Sequence, residues 1–158
     1  MFTHAEHFLR PLTAEDEAIL WEMVYQALSS PGRNAPDREI VRRPEYARYV
    51  EGWGRPNDGG FVACDKEKDN FLGAVWFRTP LDLKPGEPAP ELAFVVRSGH
   101  RKHGIGASLL TQLVRANPQM SSVLLQVGPR SSAVRLFERF GFEIAEKSGH
   151  SVVLRRAL

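Results

Sequence analysis

The most constraining feature of the sequence is residues 95–110, VVRSGHRKHGIGASLL, where an apolar strand-like run leads through a basic turn with two glycines into an apolar helix-like pattern. Gly104 and Gly106 have no Cβ, so the backbone of the turn can approach a ligand closely. A helix that begins there leaves N–H groups without intrahelical partners and carries a partial positive charge at its start. These features favour a bound phosphate. Taken alone, the turn is also consistent with a strand-to-helix connection that holds no ligand.

Two familiar phosphate-binding loops do not match this turn. A Walker loop ends in Gly-Lys followed by Ser or Thr, whereas Gly106 is followed by Ala107 and Ser108. A dinucleotide-binding fingerprint needs a third glycine where this chain has Leu109. It also needs an acidic residue about twenty positions further on, and this chain has none there. The turn therefore predicts an anion site of another kind.

The acidic residues are unevenly distributed along the chain. All 19 Asp and Glu residues lie outside residues 92–137. That stretch nevertheless contains several basic residues, namely Arg97, Arg101, Lys102, Arg115, Arg130 and Arg135. It is either a half-buried segment that happens to lack acids or a surface kept free of negative charge for a polyanionic ligand. The net charge of only +2 does not indicate binding to nucleic acid or to a membrane surface.

Hydrophobic periodicity and turn residues predict the element order β-α-α-β-β-β-α-β-α-β-β. Predicted strands cover residues 8–12, 61–64, 71–77, 92–96, 123–127, 142–144 and 152–154. Predicted helices follow a capping Thr13, run from Pro44 through residue 53, and cover residues 105–116 and 131–140. The nearly all-apolar residues 92–96 predict a central strand. This order argues for one mixed α/β domain over residues 1–158, with helices on both faces of its sheet.

Some residue patterns indicate which kinds of site and location to expect. Cys64 is the only cysteine, so no internal disulfide can form, and a reducing compartment such as the cytoplasm is expected. The start, MFTHAEHFLRP, lacks the apolar region of a secretory signal, and no apolar run is long enough to span a bilayer. The histidines lack a metal-binding spacing, so no metal is expected: His4, His7, His100, His103 and His150.

Two motifs in this sequence resemble those of one protein family. RKHGIG, residues 101–106, resembles the Arg/Gln-x-x-Gly-x-Gly/Ala pyrophosphate loop of the GNAT superfamily of acyl-CoA-dependent N-acyltransferases. AVRLFERFGF, residues 133–142, resembles the late helix and turn of that family, commonly Ala-x-x-Leu-Tyr-Glu-x-x-Gly-Phe. The motif match covers residues 91–142, and before them the chain matches only in the layout of its elements.

The resemblance implies a GNAT-type fold, which is a mixed, mostly antiparallel, twisted sheet of six or seven strands, splayed between strands 4 and 5, with helices on both faces. It implies an N-acetyltransferase that uses acetyl-CoA, needs no metal and transfers the acetyl group to a primary amine by direct attack in a ternary complex. The acceptor would be a small molecule or a protein, with no nucleic acid or membrane as partner, and a homodimer is left open. The alternative is a non-catalytic acyl-CoA-binding or regulatory module.

By the same resemblance, coenzyme A would bind between the fourth and fifth strands and at the glycine turn. Pantetheine would run in the gap between the strands, and the diphosphate would contact the backbone amides of the turn. A serine near the start of the late helix could replace one hydrogen bond of the family's usual Asn. The implied coenzyme-binding residues are Phe94, Val95, Val96, Arg101, Lys102, His103, Gly104, Ile105, Gly106, Ala107, Arg130, Ser131, Ser132 and Phe137.

The resemblance also implies catalytic positions. A strand amide at Val95 or Val96 would polarise the thioester carbonyl as an oxyanion donor, and Val96 is the residue assigned to this role. Glu91 would be the general base, although a solvated glutamate at a strand end is an equally open interpretation. Phe137 stands where the family commonly has a Tyr whose hydroxyl assists the leaving thiolate, and a Phe cannot do so. We expect the Phe137 ring to point toward the coenzyme A sulfur.

On the acceptor side, Glu22 and Tyr25 are candidate substrate-binding residues, because the first helix often borders this site in the family. Aromatic residues could wall the site or belong to the core. They are Trp21, Tyr25, Tyr46, Tyr49 and Trp53.

Overall fold

A computed structural model describes residues 7–29, 34–65, 70–78, 89–97 and 104–158. Its strands are β1 (His7–Pro11), β2 (Gly59–Asp65), β3 (Phe71–Phe77), β4 (Ala93–Val96), β5 (Ser122–Leu125), β6 (Glu143–Ser148) and β7 (Ser151–Arg155). Its helices are α1 (Glu17–Leu28), α2 (Pro44–Ala47), α3 (Ile105–Ala116) and α4 (Ser132–Arg139), with 3₁₀ turns at Ala14–Asp16 and Arg38–Arg42. Every predicted strand and helix is present, so the predicted order of elements is confirmed.

The strands form two antiparallel sheets rather than one continuous sheet. β1, β2, β3 and β4 are neighbours in that order, and β5, β7 and β6 form the second sheet. Gly73 pairs with Val96, which sets the register between β3 and β4. The two sheets meet at one parallel bridge between Glu91 and Leu124. The expected α/β class, the mostly antiparallel pairing and the splay between strands 4 and 5 are therefore confirmed.

Apolar side chains fill both faces of this arrangement. On one face, α1 packs on β2, β3 and β4 through a cluster that includes Leu20. On the other face, α3 and α4 pack through a cluster that includes Leu109. Successive side chains of a strand point to opposite faces, and accordingly β4 gives Val95 to the first cluster and Val96 to the second. Strand β4 thus lies between two packed layers.

Some boundaries differ from the sequence-based predictions. Helix α2 ends at Ala47 rather than at residue 53, because the chain continues in hydrogen-bonded turns such as Trp53 N–H to the Val50 carbonyl, at 2.9 Å. Strand β6 continues to Ser148, beyond its predicted end at residue 144. Strand β4 is central in the molecule but is the last strand of its own sheet, with a ladder to β3 along one edge.

A buried carboxylate holds the start of α1 to β1. Asp16 is 5% exposed, and the Arg10 guanidinium donates hydrogen bonds to its two oxygens at 2.9 and 3.0 Å. The Thr13 backbone N–H also donates to Asp16, at 2.7 Å, and the Thr13 hydroxyl accepts from Glu15 N–H, which confirms the predicted cap. The Arg10 hydrogen bond, acting against burial, holds the pKa of Asp16 below its usual value.

We expect Asp16→Asn to lower the free energy of unfolding at pH 7 by about 1–3 kcal/mol, because Arg10 loses its charged partner. The pKa of Asp16 is lower in the folded state than its unfolded value of about 3.9. The contribution of the Asp16 carboxylate to the free energy of unfolding is therefore complete at pH 7 and is lost as the pH falls through the folded-state pKa.

Urea unfolding of both proteins at pH 7 and near pH 3 measures this difference, which should shrink at the lower pH. Asp37→Asn is the matched control, because Asp37 caps an exposed 3₁₀ turn and Asn caps about as well as Asp. A difference of equal size at both pH values would show that the carboxylate charge is not what anchors α1.

Candidate functional site

A cleft opens where β4 separates from β5. Just before β4 the two chain segments are joined, since Leu92 N–H donates to the Leu124 carbonyl at 3.0 Å and Leu124 N–H donates to the Pro90 carbonyl at 2.9 Å. Beyond this point β4 pairs with β3, and β5 pairs with β7. The cleft therefore exists because β4 and β5 belong to two different sheets that separate at this point.

The cleft consists of two cavities that share part of their lining. The inner cavity has a volume of about 260 Å³, and the outer cavity has a volume of about 780 Å³. The shared lining residues come from α1, β4, α3, α4 and the end of β5, and they are Ala27, Phe94, Val95, Leu110, Gln126, Val127 and Ala133. The two cavities are thus continuous, with one end at Glu91 and the other at the start of α3.

The outer cavity ends at the N-terminus of α3. Gly104 has a φ of 73°, a left-handed conformation that favours glycine, and apart from its chain neighbours no described residue has an atom within 4 Å of where a Cβ would stand. The first intrahelical hydrogen bond runs from Ser108 N–H to the Gly104 carbonyl, so the N–H groups of residues 105–107 have no intrahelical acceptor. Gly106 and Ala107 line the cavity, whereas the Ile105 side chain is buried in the core. These amides and the space beside them fit the diphosphate of coenzyme A.

The Phe94 ring lies against the first turn of α3. A Cβ on Gly106 would come within 2.9 Å of Phe94 Cζ and 3.7 Å of Val96 Cγ2. Phe94 lines both cavities, and 36% of its surface is exposed. Glycine at position 106 therefore lets β4 and α3 approach closely beside the outer cavity.

The start of α4 also borders the outer cavity. The Ser131 hydroxyl accepts a hydrogen bond from Val134 N–H at 3.2 Å, so it caps the helix. Ser132 lines the outer cavity, and Arg130 is exposed in the preceding turn. The other expected coenzyme-binding residues lie outside the described residues, and they are Arg101, Lys102 and His103.

The backbone of β4 directs alternate amides toward the cleft. Arg97 N–H donates to the Leu72 carbonyl on β3, at 2.9 Å. Since hydrogen-bonding residues alternate along an antiparallel pair, the Val95 amide also faces β3, and the amides of Phe94 and Val96 face the β5 side. Val96 thus has the orientation that an oxyanion donor in the cleft requires, and Val95 does not.

The inner cavity ends at Glu91, whose side chain is 14% exposed. Arg48 donates to Glu91 Oε1 at 2.9 Å, and the Tyr49 hydroxyl donates to Oε2. The Arg48 guanidinium also lies over the Tyr49 ring, 4.3 Å from its centroid. Burial, and then the hydrogen bond to Glu91, raise the pKa of Tyr49 above its ordinary value, so the phenol stays protonated. Glu91 is therefore a carboxylate held by two donors at the edge of an apolar cavity, and it is not a solvated strand end.

Sequence reasoning did not identify Arg48, and it named Tyr49 only as one of five candidate wall residues. Both residues follow α2, and no local motif connects them with Glu91. The structure places Tyr46 and Tyr49 in the lining of the inner cavity. Tyr25 and Trp53 belong instead to the core beside α1.

The two α1 residues expected at the acceptor site lie elsewhere. Glu22 forms an ion pair with Arg38 at 2.6 Å. Tyr25 is buried, and its hydroxyl donates to the Pro36 carbonyl at 2.8 Å. Helix α1 does border the inner cavity, but the helical period presents a different face to it. That face consists of Val24, Ala27 and Leu28.

Phe137 does not point into the cleft. Its ring is 0% exposed, belongs to the apolar cluster of α3 and α4, and meets Phe142 edge-on with centroids 5.2 Å apart. Ala133 and Leu136 of the same helix line the cavities instead. The expectation that the Phe137 ring faces the coenzyme sulfur is therefore corrected, because α4 turns this position toward the core.

The described part of the chain shows neither a metal-binding cluster nor a membrane-spanning helix. Within it, no group of three or more His, Cys, Asp or Glu side chains is arranged to hold a metal ion. None of the helices in this part has the length and apolar character needed to cross a membrane.

Comparison with known families places most of the chain in one of them. The model of the acetyltransferase (GNAT) family matches residues 21–142, which is more than half of the chain. Comparison with curated protein sequences gave no significant match.

Solved structures of acetyltransferases share the fold. The PaiA N-acetyltransferase of Thermoplasma acidophilum, in complex with coenzyme A, is 14% identical over 97% of this chain and 99% of its own, with a TM-score of 0.62. A GCN5-related N-acetyltransferase of Kribbella flavida is 18% identical over 96% and 98%, with a TM-score of 0.62. A Corynebacterium glutamicum protein described as histone acetyltransferase HPA2 and related acetyltransferase is 17% identical over 96% and 97%, with a TM-score of 0.66.

We expect Phe137→Tyr to destabilise the protein by about 1–3 kcal/mol, because the new hydroxyl would be buried without a partner. Turnover with acetyl-CoA should stay unchanged, since the ring does not reach the cleft. Urea unfolding and kcat on one acceptor measure both effects. Phe8→Tyr is the matched control, because Phe8 is 39% exposed and its added hydroxyl would be solvated. A faster Phe137→Tyr enzyme of unchanged stability would contradict the buried position of this ring.

Proposed function

Because the chain belongs to the GNAT family of acetyltransferases, it is an acyl-CoA-dependent N-acetyltransferase, and we propose that it transfers the acetyl group to a primary amine by direct attack in a ternary complex. The observation that carries this proposal is the continuous cleft, which has helix amides at its outer end and a held carboxylate at its inner end. Two substrates can therefore enter from opposite ends and meet beside β4.

The outer end of the cleft supports binding of the donor. Acetyl-CoA supplies an acyl group activated as a thioester. The amides of Ile105, Gly106 and Ala107 would hold the diphosphate, and the exposed face of Phe94 would contact pantetheine. The contributions expected of Arg101, Lys102 and His103 remain predictions.

The inner end supports proton removal from the acceptor. A substrate ammonium must lose its proton before nitrogen can attack, and Glu91 would accept that proton directly or through a water molecule. Arg48 and Tyr49 hold the carboxylate in position. The Val96 amide, directed toward the cleft, would polarise the carbonyl oxygen while the nitrogen–carbon bond forms and the carbon–sulfur bond breaks.

No observation favours the alternative of a non-catalytic acyl-CoA-binding module. The acceptor in this proposal is a small molecule or a protein amine, with no nucleic acid or membrane as partner. A cytoplasmic location stays part of the proposal, and a homodimer stays open.

We expect Glu91→Gln to lower kcat by roughly 10²–10⁴-fold, because the general base is lost. The variant should acetylate only the fraction of amine that is already neutral, so its rate should rise about tenfold per pH unit below the amine pKa of about 10. The wild-type rate should depend less on pH near neutrality. Rates from pH 6 to pH 9 check this, with Glu146→Gln as control because Glu146 is exposed on β6. A wild-type rate and pH profile in Glu91→Gln would rule out Glu91 as the base.

We expect Gly106→Val to abolish coenzyme A binding while leaving the protein folded. Its side chain would stand against Phe94 at the mouth of the outer cavity. In the wild type, coenzyme A at one hundred times its Kd should stabilise the fold by about 2.7 kcal/mol. Calorimetry and melting temperature measure both properties, and Ala116→Val, at the exposed far end of α3, is the matched control. Wild-type affinity in Gly106→Val would exclude this turn as the diphosphate site.

A further inference from the structure

We propose that the acceptor is a small primary amine with a compact apolar body, aromatic or branched aliphatic, whose ammonium group binds at Glu91. This inference rests on the proposed function, since it concerns the second substrate of the same reaction. It is carried by the chemistry of the inner cavity, which is a largely apolar cavity that ends at a carboxylate held by Arg48 and Tyr49.

Apart from Gln126, the walls of the inner cavity beside this carboxylate are apolar or aromatic. Those from α1, α2 and its following turn, β3 and β4 are Val24, Ala27, Leu28, Tyr46, Tyr49, Trp76, Ala93 and Val95. The cavity measures about 260 Å³, which exceeds the roughly 150 Å³ of an apolar protein cavity that binds benzene. It therefore has room for one ring, or a branched chain of similar size, together with a short linker to the reacting nitrogen.

The charge in this cavity selects a cation at one end. Among the described lining residues, Glu91 is the only Asp, Glu, Lys or Arg. An ammonium group beside its carboxylate would form a charge-assisted hydrogen bond. Tyr46 lies in the same lining, and aromatic rings also attract cations. A ligand with one cationic end and an apolar remainder matches both parts of the cavity.

The same charge pattern disfavours acceptors that carry a second charged group. A diamine or polyamine would place its second ammonium against an apolar wall without a counter-charge. An amino acid would need a cation for its carboxylate, but Arg48 is paired with Glu91. Arg78, in a small adjoining cavity, is paired with Asp58 and also donates to the carbonyls of Arg48 and Glu51.

The experiment compares acceptors that differ in charge and in the size of their apolar part, with acetyl-CoA as the donor. Phenethylamine and isopentylamine represent the proposed class, and putrescine, phenylalanine and a lysine-containing peptide represent the others. We expect kcat/KM to be at least about tenfold higher for the first two amines. Phenethylamine should also raise the melting temperature of the coenzyme A complex, which tests binding separately from turnover.

Two variants test the position of the amine within the cavity. Leu28→Trp should narrow the inner cavity and lower the ratio of phenethylamine to ethylamine kcat/KM by about tenfold or more. Leu158→Trp, at a side chain that is 77% exposed, should leave that ratio unchanged. Glu91→Gln should weaken phenethylamine binding to the coenzyme A complex by roughly ten- to a hundredfold, whereas Glu146→Gln should not.

A preference for putrescine, phenylalanine or the peptide would overturn this inference and leave N-acetyltransferase activity standing. The inference would also be overturned if the wild type preferred hexanoyl-CoA over acetyl-CoA and Leu28→Trp removed that preference. The acyl chain of the donor, and not the amine, would then occupy the inner cavity. If coenzyme A binds but none of the amines is acetylated, the proposed function fails and this inference fails with it.

Discussion

The separation of β4 from β5 beyond Glu91 is the constraint on which the site depends. A buried backbone N–H or carbonyl without a partner costs about 1–3 kcal/mol. Within the described residues, β4 has a ladder with β3 and β5 has a ladder with β7, so the other edge of each strand faces the cleft. A ligand that carries amide groups of its own, as pantetheine does, can pair with these edges. In the proposed function, the donor would therefore bind where β4 and β5 separate.

The two ends of the cleft are positioned by different connections to the same sheet. The outer end is fixed by α3, whose first turn packs against Phe94 of β4. The inner end depends on the turn after α2, which brings Arg48 and Tyr49 to Glu91. Trp76 of β3 is 1% exposed, and its indole N–H donates to the Tyr49 carbonyl at 2.9 Å. Because β3 pairs with β4, this hydrogen bond links Tyr49, which contacts Glu91, to the sheet that contains β4, the strand that directly follows Glu91.

The sequence predicts the elements of this fold better than it predicts the side-chain arrangement of the site. The apolar spacing of Ile105, Leu109 and Leu113 is a local signal, and it correctly predicts α3. The splay between the sheets was expected only through family resemblance, since periodicity does not specify which strands pair with one another. The contact of Arg48 with Glu91 joins distant parts of the chain and has no local signature.

A correctly predicted helix does not by itself fix the direction in which each of its side chains points. Phe137 lies on α4 as expected, but a Phe on a helix can face either the cleft or the core without a change in the local pattern. Packing with Phe142 decides between them, and that partner lies beyond the helix end. The same is true of Glu22 and Tyr25 on α1. This helix was correctly expected beside the acceptor site, but the face of the helix that lines the cavity does not carry these two residues.

The burial of Phe137 is compatible with an active acetyltransferase, because the acceptor amine has a proton to lose whereas the thiolate leaving group does not need to gain one. A thiol has a pKa of about 8.5, so a thiolate is a stable leaving group near neutral pH without an acid to protonate it. An alkyl ammonium has a pKa of about 10, so nearly all of the acceptor arrives protonated and cannot attack. The proton that must be moved is therefore on nitrogen. The carboxylate held by Arg48 and Tyr49 lies at the end of the cleft assigned to the acceptor, whereas the ring that replaces the family's usual Tyr is buried in the core. In the proposed reaction, Glu91 at the inner end of the cleft would therefore take the proton, and the late helix, which lacks the family's usual hydroxyl, would supply no acid.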